Sequence, residues 1–228
     1  MAKNDRLEEL RQLIDENGYI SIHTLAQKTY TSTSTVRRNL EKLEQQGYIR
    51  RRHGGAESLL TVRPPLPVRQ QSNPIEKAAV ARRAASLVAA GSTIFLDSST
   101  TAQYMIPHLA TLEGLTVYTN GADTALRLAE AAVRAISTGG ELSAKLRAYS
   151  GPVAEATVRR VNFDAMFFST AGFDEECVSD WSESETALRR AVMEHSARRY
   201  LLSDHTKRGQ RFTHVVCLLR EVDEVFCE

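Results

Sequence analysis

Apolar residues recur at helical spacing in three short runs near the start of the chain. Leu7, Leu10, Leu13 and Ile14 alternate with charges over residues 3–17, and Asn17-Gly18 supplies a stop. Ser21 stands where it can cap a second helix carrying Ile22, Leu25 and Ala26, followed by a turn from Lys28 to Thr31. Ser32 can cap a third helix, in which Val36, Leu40 and Leu43 follow at spacings of four and three and share one face. Gly47 ends it. Tyr48-Ile49 opens a short strand that runs into three arginines, a histidine and two glycines. Three short helices and a basic hairpin within residues 1–60 predict a winged helix-turn-helix unit.

The pattern then changes. Residues 61–74 hold Pro64, Pro65, Pro67 and Pro74 without helical periodicity, which predicts an extended, semi-rigid linker. From there helices and strands alternate over residues 75–228. A helix is expected over 75–90, a strand over 92–97, a helix through Met105 and Leu109, a strand over 115–119, a helix over 122–131 and a strand over 133–137. Further apolar runs at 165–168, 200–202 and 215–218 read as strands, and 222–226 as an edge strand or an interface. This alternation predicts the α/β class: a mostly parallel sheet covered on both faces.

Charge sharpens the first unit. The chain of 228 residues carries a formal net charge of only +1, so the whole-chain balance does not advertise nucleic acid. Between Lys28 and His53, however, seven Lys or Arg stand against two Glu, a local excess of five. A compact basic patch on a near-neutral chain points to local phosphate contacts. On the third helix, Ser32, Thr33, Ser34 and Thr35 form a first turn of short hydroxyls, with Arg37 and Arg38 beside the apolar face. Hydroxyls allow close approach to a major groove, and arginine can fork onto guanine or phosphate. Arg50, Arg51, Arg52, His53 and Gly54 complete the expected double-stranded DNA interface as a wing on the backbone. The competing reading is a docking module with solvated surface charge.

In a parallel sheet, ligands bind beyond the carboxyl ends of the strands. Those ends carry Asp97-Ser98-Ser99-Thr100-Thr101, Thr119-Asn120-Gly121, Ser137-Thr138-Gly139-Gly140, Ser169-Thr170-Ala171-Gly172-Phe173 and Asp204-His205-Thr206-Lys207. Hydroxyls, glycines and a lysine at one edge suit a phosphate, with Asp97 and Asn120 placed for sugar hydroxyls. Good caps and turns would use the same residue types. His23, His108, His195 and His214 are isolated, so no metal site is expected. Cys177, Cys217 and Cys227 lack ligand spacing and fit a reducing compartment. The charged start of the chain and the absence of a long apolar run lead us to expect a cytoplasmic protein with no membrane partner. Trp181, in the acidic stretch 180–185, reads as a lid or an anchoring aromatic.

These motifs together resemble the DeoR family of bacterial transcriptional regulators. The resemblance rests on Ser32, Thr35-Val36-Arg37-Arg38-Asn39-Leu40, Leu43, Gly47 and the wing His53-Gly54-Gly55-Ala56. Asn39 replaces a usual aspartate, and Tyr30 stands where a small residue or glycine is usual. In the larger unit it rests on Asp97–Thr101, Thr119-Asn120, Gly139-Gly140, Ser150-Gly151, Ala171-Gly172-Phe173, the helix 185–193 and Asp204–Lys207. Arg189 stands in that helix where lysine is frequent, and an arginine can still hold an anion with different geometry.

The resemblance implies a second domain similar to sugar-phosphate isomerases, sensing a phosphorylated sugar without a cofactor. It implies effector contacts from Asp97, Ser98, Ser99, Thr100, Thr101, Asn120, Gly139, Gly140, Gly172, Phe173, Asp204 and Lys207. The expected function is a regulator, most simply a repressor of a carbohydrate-use operon, acting as a homo-oligomer (dimer or tetramer) on operator DNA. The alternatives are a sugar-phosphate isomerase fused to a DNA-binding module, with Asp97, Asp204 or Glu185 as base, and a DNA scaffold with no ligand.

Overall fold

The helical runs at the start of the chain fold as their apolar spacing requires. A computed structural model describes residues 5–17, 19–52, 54–58 and 66–228. In the first of two units, Met1–Arg69, the order is α1 (Asp5–Asn17), β1 (Tyr19–Ser21), α2 (Ile22–Lys28), α3 (Thr33–Gln45), β2 (Ile49–Arg52) and β3 (Gly55–Ser58). Leu10, Ile14, Leu25, Val36, Leu40, Leu43, Ile49 and Ala56 close one core. The Ser21 and Ser32 hydroxyls accept from the backbone N–H of Thr24 and Thr35 at 3.1 and 3.2 Å, capping α2 and α3. The strands form an antiparallel sheet ordered β1-β3-β2. Strand β1 was not expected, because three residues are too few to show alternation.

Helix α2 ends in a left-handed residue. Tyr30 has φ +51°, with Thr31 N–H donating to Ala26 carbonyl at 3.0 Å and Tyr30 N–H to Gln27 carbonyl at 3.4 Å. This is the helix-closing geometry that glycine serves without strain.

The proline-rich segment departs from expectation. Residues 61–65 lie outside the described residues, and Leu66–Gln71 form a helix, α4, instead of extended chain. Pro74 likewise opens α5 (Pro74–Ala85). Prolines in a first turn forfeit only an N–H that has no helical partner, so they start helices as readily as they stiffen linkers.

The second unit, Gln70–Glu228, continues with β4 (Thr93–Leu96), α6 (Thr100–Gln103), α7 (Ile106–Leu109), β5 (Thr116–Thr119), α8 (Ala122–Glu130) and β6 (Arg134–Ser137). A hairpin of β7 (Glu141–Ser143) and β8 (Ala148–Ser150) leads to α9 (Pro152–Val158) and β9 (Ala165–Phe168). Then come β10 (Gly172–Phe173), β11 (Cys177–Asp180), α10 (Glu183–Glu194), β12 (Arg199–Ser203), β13 (His214–Leu218) and β14 (Glu224–Cys227). Six strands form a parallel sheet ordered β14-β12-β9-β4-β5-β6. Their side chains alternate between two cores. Ile94, Leu96, Phe167 and Leu202 pack on Val80, Ala84 and Ile106, whereas Phe95, Met166, Phe168 and Leu201 pack on Val158, Leu188 and Val192.

Three expectations need correction. The helix through Met105 and Leu109 is two short helices, because Pro107 cannot donate within a continuous one. Helix α5 stops at Ala85, five residues early. The run 215–218 lies in a separate antiparallel sheet, β10-β11-β13, rather than in the parallel one. Its exposed Val215 and Leu218 mark a strand covered on one side, unlike β9, which is buried at every position. The segment 222–226 overlaps β14, the sheet's edge strand.

Leu40 is fully buried at the centre of the smaller core. Leu40→Ala should lose about 2–5 kcal/mol, enough to melt the first unit selectively. Amide exchange should show protection vanishing in α1–α3 and persisting in the parallel sheet; uniform protection in both units would contradict the assignment.

Candidate functional sites

Helix α3 presents Ser34, Arg37 and Arg38 to solvent, with Thr33 and Thr35 half-buried. The first-turn hydroxyls are partly committed: Ser32 Oγ lies 2.9 Å from Ser34 Oγ and 3.0 Å from Thr35 Oγ1. Among the described residues, Arg37, Arg38 and Arg50 make no ion pair. The other two wing arginines do. Arg51 Nε donates to Glu44 Oε2 at 2.8 Å and its Nη1 to Glu41 Oε1 at 3.0 Å, while Glu44 Oε1 accepts Arg51 N–H at 2.8 Å. Arg52 Nε donates to Glu57 Oε2 at 2.9 Å. The expected equivalence of the three arginines therefore does not hold. Period-two alternation along β2 turns Arg51 toward α3, where it braces the wing, and leaves Arg50 on the other face. Gly54 closes the wing at φ +79°, its carbonyl accepting Ile22 N–H at 2.9 Å; His53 lies outside the described residues.

In the second unit, the chain fills one side of the sheet with β4, β5 and β6, then returns to fill the other with β9, β12 and β14. The order reverses between the neighbours β4 and β9, the kind of switch point where α/β sheets bind ligands. Asp97 stands just past β4 at that point, 1% exposed. Its Oδ1 accepts Ser99 N–H at 2.9 Å; its Oδ2 accepts Ser169 N–H at 3.1 Å and Arg189 Nη2 at 3.3 Å. Asn120 does similar work past β5: Oδ1 accepts Ser98 N–H at 3.0 Å and Nδ2 donates to Tyr149 carbonyl at 3.2 Å. Both residues were expected to meet a ligand; in the structure they hold loops in place. Gly121 lets the first two loops touch, since a Cβ there would lie 2.9 Å from Ser98 Cα and 2.4 Å from Thr124 Oγ1.

Lys207 Nζ donates to Ser169 Oγ at 2.8 Å and links the ends of β12 and β9. Asp204 Oδ1 accepts Asn73 Nδ2 at 3.0 Å and also bonds the Thr206 hydroxyl. Burial pushes the Asp204 carboxyl up, but Lys207, Thr206, Lys77 and Asn73 outweigh it and hold it below the usual range. Gly140, at φ +103°, turns the chain after β6 where a Cβ would meet Ser150 carbonyl at 2.6 Å. Ser98, Ser99, Thr100, Thr101, Gly139 and Gly140 thus share one edge with Asp204 and Lys207. Gly172 and Phe173 follow beside the segment after Lys207, the Phe173 carbonyl accepting Gly209 N–H at 2.8 Å. They start β10, where Phe173 packs into the core and Gly172 admits Gln210 against the backbone.

Arg189 lies beneath this edge, 3% exposed. It faces Asp180 at 3.0 Å, Asp97 at 3.3 Å and Glu185 at 3.8 Å. Burial works against its charge, but the three carboxylates outweigh burial and fix it protonated. This guanidinium is enclosed by the protein's own anions, so the expectation that it holds a ligand anion fails. Asp180 was missed, because β11 (Cys-Val-Ser-Asp) has no apolar run to announce a strand. Trp181 is an anchor, its ring 4.1 Å from that of Phe212. A groove of about 360 Å³ lies at the opposite edge, lined by residues including Leu115, Thr116 and Val133; Arg134 is its one cation. It lacks the converging hydroxyls of the carboxyl edge.

Comparison with known proteins covers both units. A family model described as the DeoR C terminal sensor domain matches residues 72–228, and one described as the DeoR-like helix-turn-helix domain matches residues 6–62. The chain is 35% identical to the HTH-type transcriptional regulator YulB of Bacillus subtilis, covering 96% of this chain and 86% of that one. It is 32% identical to the transcriptional repressor AccR of Agrobacterium fabrum (97% and 88% covered) and 31% identical to a lactose phosphotransferase system repressor of Staphylococcus aureus (99% and 92%). Among solved structures, eIF2B delta from Chaetomium thermophilum shares the fold, with a TM-score of 0.51 at 12% identity over 68% of this chain and 56% of that one. A ribose 5-phosphate isomerase from Plasmodium falciparum aligns at a TM-score of 0.44 and 16% identity over 59% and 52%.

Removing Arg189 leaves three carboxylates buried together, so Arg189→Leu should lower the second unit's stability by about 3–5 kcal/mol in denaturant unfolding. A loss below about 1 kcal/mol would show that the cluster does not organise the edge. On DNA, Arg50→Ala should flatten the plot of log affinity against log salt by about one phosphate contact, whereas Arg51→Ala should change the slope little. Equal slopes for the two variants would contradict the bracing role of Arg51.

Proposed function

The chain belongs to the DeoR family of transcriptional regulators, and on that footing we propose that it represses a carbohydrate-use operon and releases DNA when a phosphorylated sugar binds. The ligand would lie at the carboxyl edge of the parallel sheet. The observation that carries this reading is the convergence of the loops after β4, β5, β6, β9 and β12 on the point where strand order reverses, with Lys207 among them. Hydroxyls and backbone N–H groups there suit phosphate oxygens, and Lys207 supplies a cation. Two of the relatives are repressors by name, one of them of a lactose phosphotransferase system.

DNA would be held by α3 in a major groove, with Arg37 and Arg38 reaching bases or phosphates and Arg50 gripping the backbone from the wing. Two or more copies would assemble so that paired α3 helices meet half-sites about 10 base pairs, or a multiple, apart. The sugar phosphate then shifts DNA affinity only as far as it prefers one arrangement of the assembly over the other. With DNA as partner, the chain works in the cytoplasm.

The same geometry speaks against isomerisation, which needs a carboxylate or imidazole free to move a proton between carbons. Both Asp97 oxygens are engaged, Glu185 lies beside Arg189, and Asp204 is held below the usual carboxylate range, which weakens it as a base.

The test is fluorescence anisotropy on a duplex selected by the chain from a random-sequence pool, titrated with a panel of sugar phosphates. One compound should release the DNA and be recovered unchanged. Lys207→Met should bind the duplex like wild type yet need about tenfold more effector, the loss of one charge-assisted contact. Wild-type response in that variant would move the phosphate away from this edge, and turnover of the compound would favour the enzyme.

A further inference from the structure

Tyr30 presents two unfavourable features at once. Its backbone is left-handed at φ +51°, a conformation that side chains other than glycine, asparagine and aspartate rarely adopt. Its side chain is 96% exposed, the most exposed of the large hydrophobic residues described. Among the described residues its side chain makes no hydrogen bond and no ring contact that would offset either. Residues held in such conformations cluster at functional sites.

The position indicates the use. Tyr30 precedes the Ser32 cap of α3 by two residues, so it sits within about 8 Å of that cap along the chain. The exposed residues of α3, Ser34, Arg37 and Arg38, lie in the first half of the same helix. A helix with its side chains is about 10–12 Å across and a major groove about 12 Å wide, so a helix entering by its first turns brings the residues just before it against the groove wall. That wall is deoxyribose and phosphate. Tyrosine suits it: the ring lies on the sugar and the hydroxyl donates to a phosphate oxygen.

We propose that Tyr30 is a DNA contact, a clamp on the sugar-phosphate backbone beside the bases that α3 reads. It adds affinity without sequence preference, because every site offers the same backbone. The left-handed turn aims the ring away from the core of its own unit. This inference rests on the DNA-binding reading of α3.

The test compares full-length wild type, Tyr30→Gly, Tyr30→Phe and Arg37→Ala on the selected duplex and on a scrambled duplex. Tyr30→Gly should raise the unfolding midpoint of the first unit while weakening binding about tenfold on both duplexes. Tyr30→Phe should keep the ring contact and lose about threefold, the share of the hydroxyl. Opposite signs for stability and affinity cannot come from a residue that only supports the fold. Unchanged affinity in Tyr30→Gly, with Arg37→Ala still impaired, would overturn the clamp and leave the α3 reading intact. Stability and affinity falling together in Tyr30→Gly would also overturn it. Failure of wild type to bind either duplex would overturn both.

Discussion

One buried carboxylate holds the larger unit's candidate site together. Asp97 follows the first strand of the parallel sheet at the place where the chain later returns to fill the other side. Through Ser169 N–H it ties β4 to the loop after β9, through Ser99 N–H it shapes the start of α6, and through Arg189 it reaches α10. Arg189 in turn gathers Asp180 from the antiparallel sheet and Glu185 from its own helix. A single guanidinium thus ties α10 to the end of β11 and to the distant loop after β4. In this low-dielectric setting the arrangement depends on Arg189, because removing that one cation leaves three buried carboxylates without compensation. The loops above it are held in place through these contacts, which is what a site needs if a small ligand is to select between two states of an assembly.

The DNA-binding unit uses its charges differently. Of the basic wing, Arg51 and Arg52 are already neutralised by Glu41, Glu44 and Glu57, and they stiffen the hairpin against α3 and across the strands. Arg50, with Arg37 and Arg38 on α3, stays open to an external anion. A local count of basic residues therefore overstates the charge offered to DNA. The near-neutral chain fits this economy, its formal net charge being only +1.

Much of the fold was legible because the strongest signals were periodic. Val36, Leu40 and Leu43 announced α3, and the runs at 93–96, 115–119 and 165–168 announced buried parallel strands. What escaped was either too short or decided by distant partners. Strands β1 and β11 have three and four residues, with no alternation to read. The prolines of 64–74 suit an extended linker and a helical first turn equally, and only the structure distinguished them over Leu66–Gln71. At the candidate site, residue types pointed to the carboxyl edge, but not to the division of labour there. Asp97 and Asn120 look like ligand groups in sequence and act as loop ties, while Arg189 is surrounded by carboxylates 92, 9 and 4 positions away. A pairing over 92 positions leaves no local trace. Phe173 likewise reads as a loop residue and packs in the core.

The central claim is that the edge organised by Asp97 receives the effector. Amide hydrogen exchange on the full chain, with and without the sugar phosphate that releases DNA, tests it most directly. The account predicts new protection at 97–101, 169–171 and 204–207, where the loops meet at the reversal of strand order, and none at 110–116 and 132–134 on the opposite edge. Protection confined to that opposite groove, with the carboxyl edge unchanged, would contradict it.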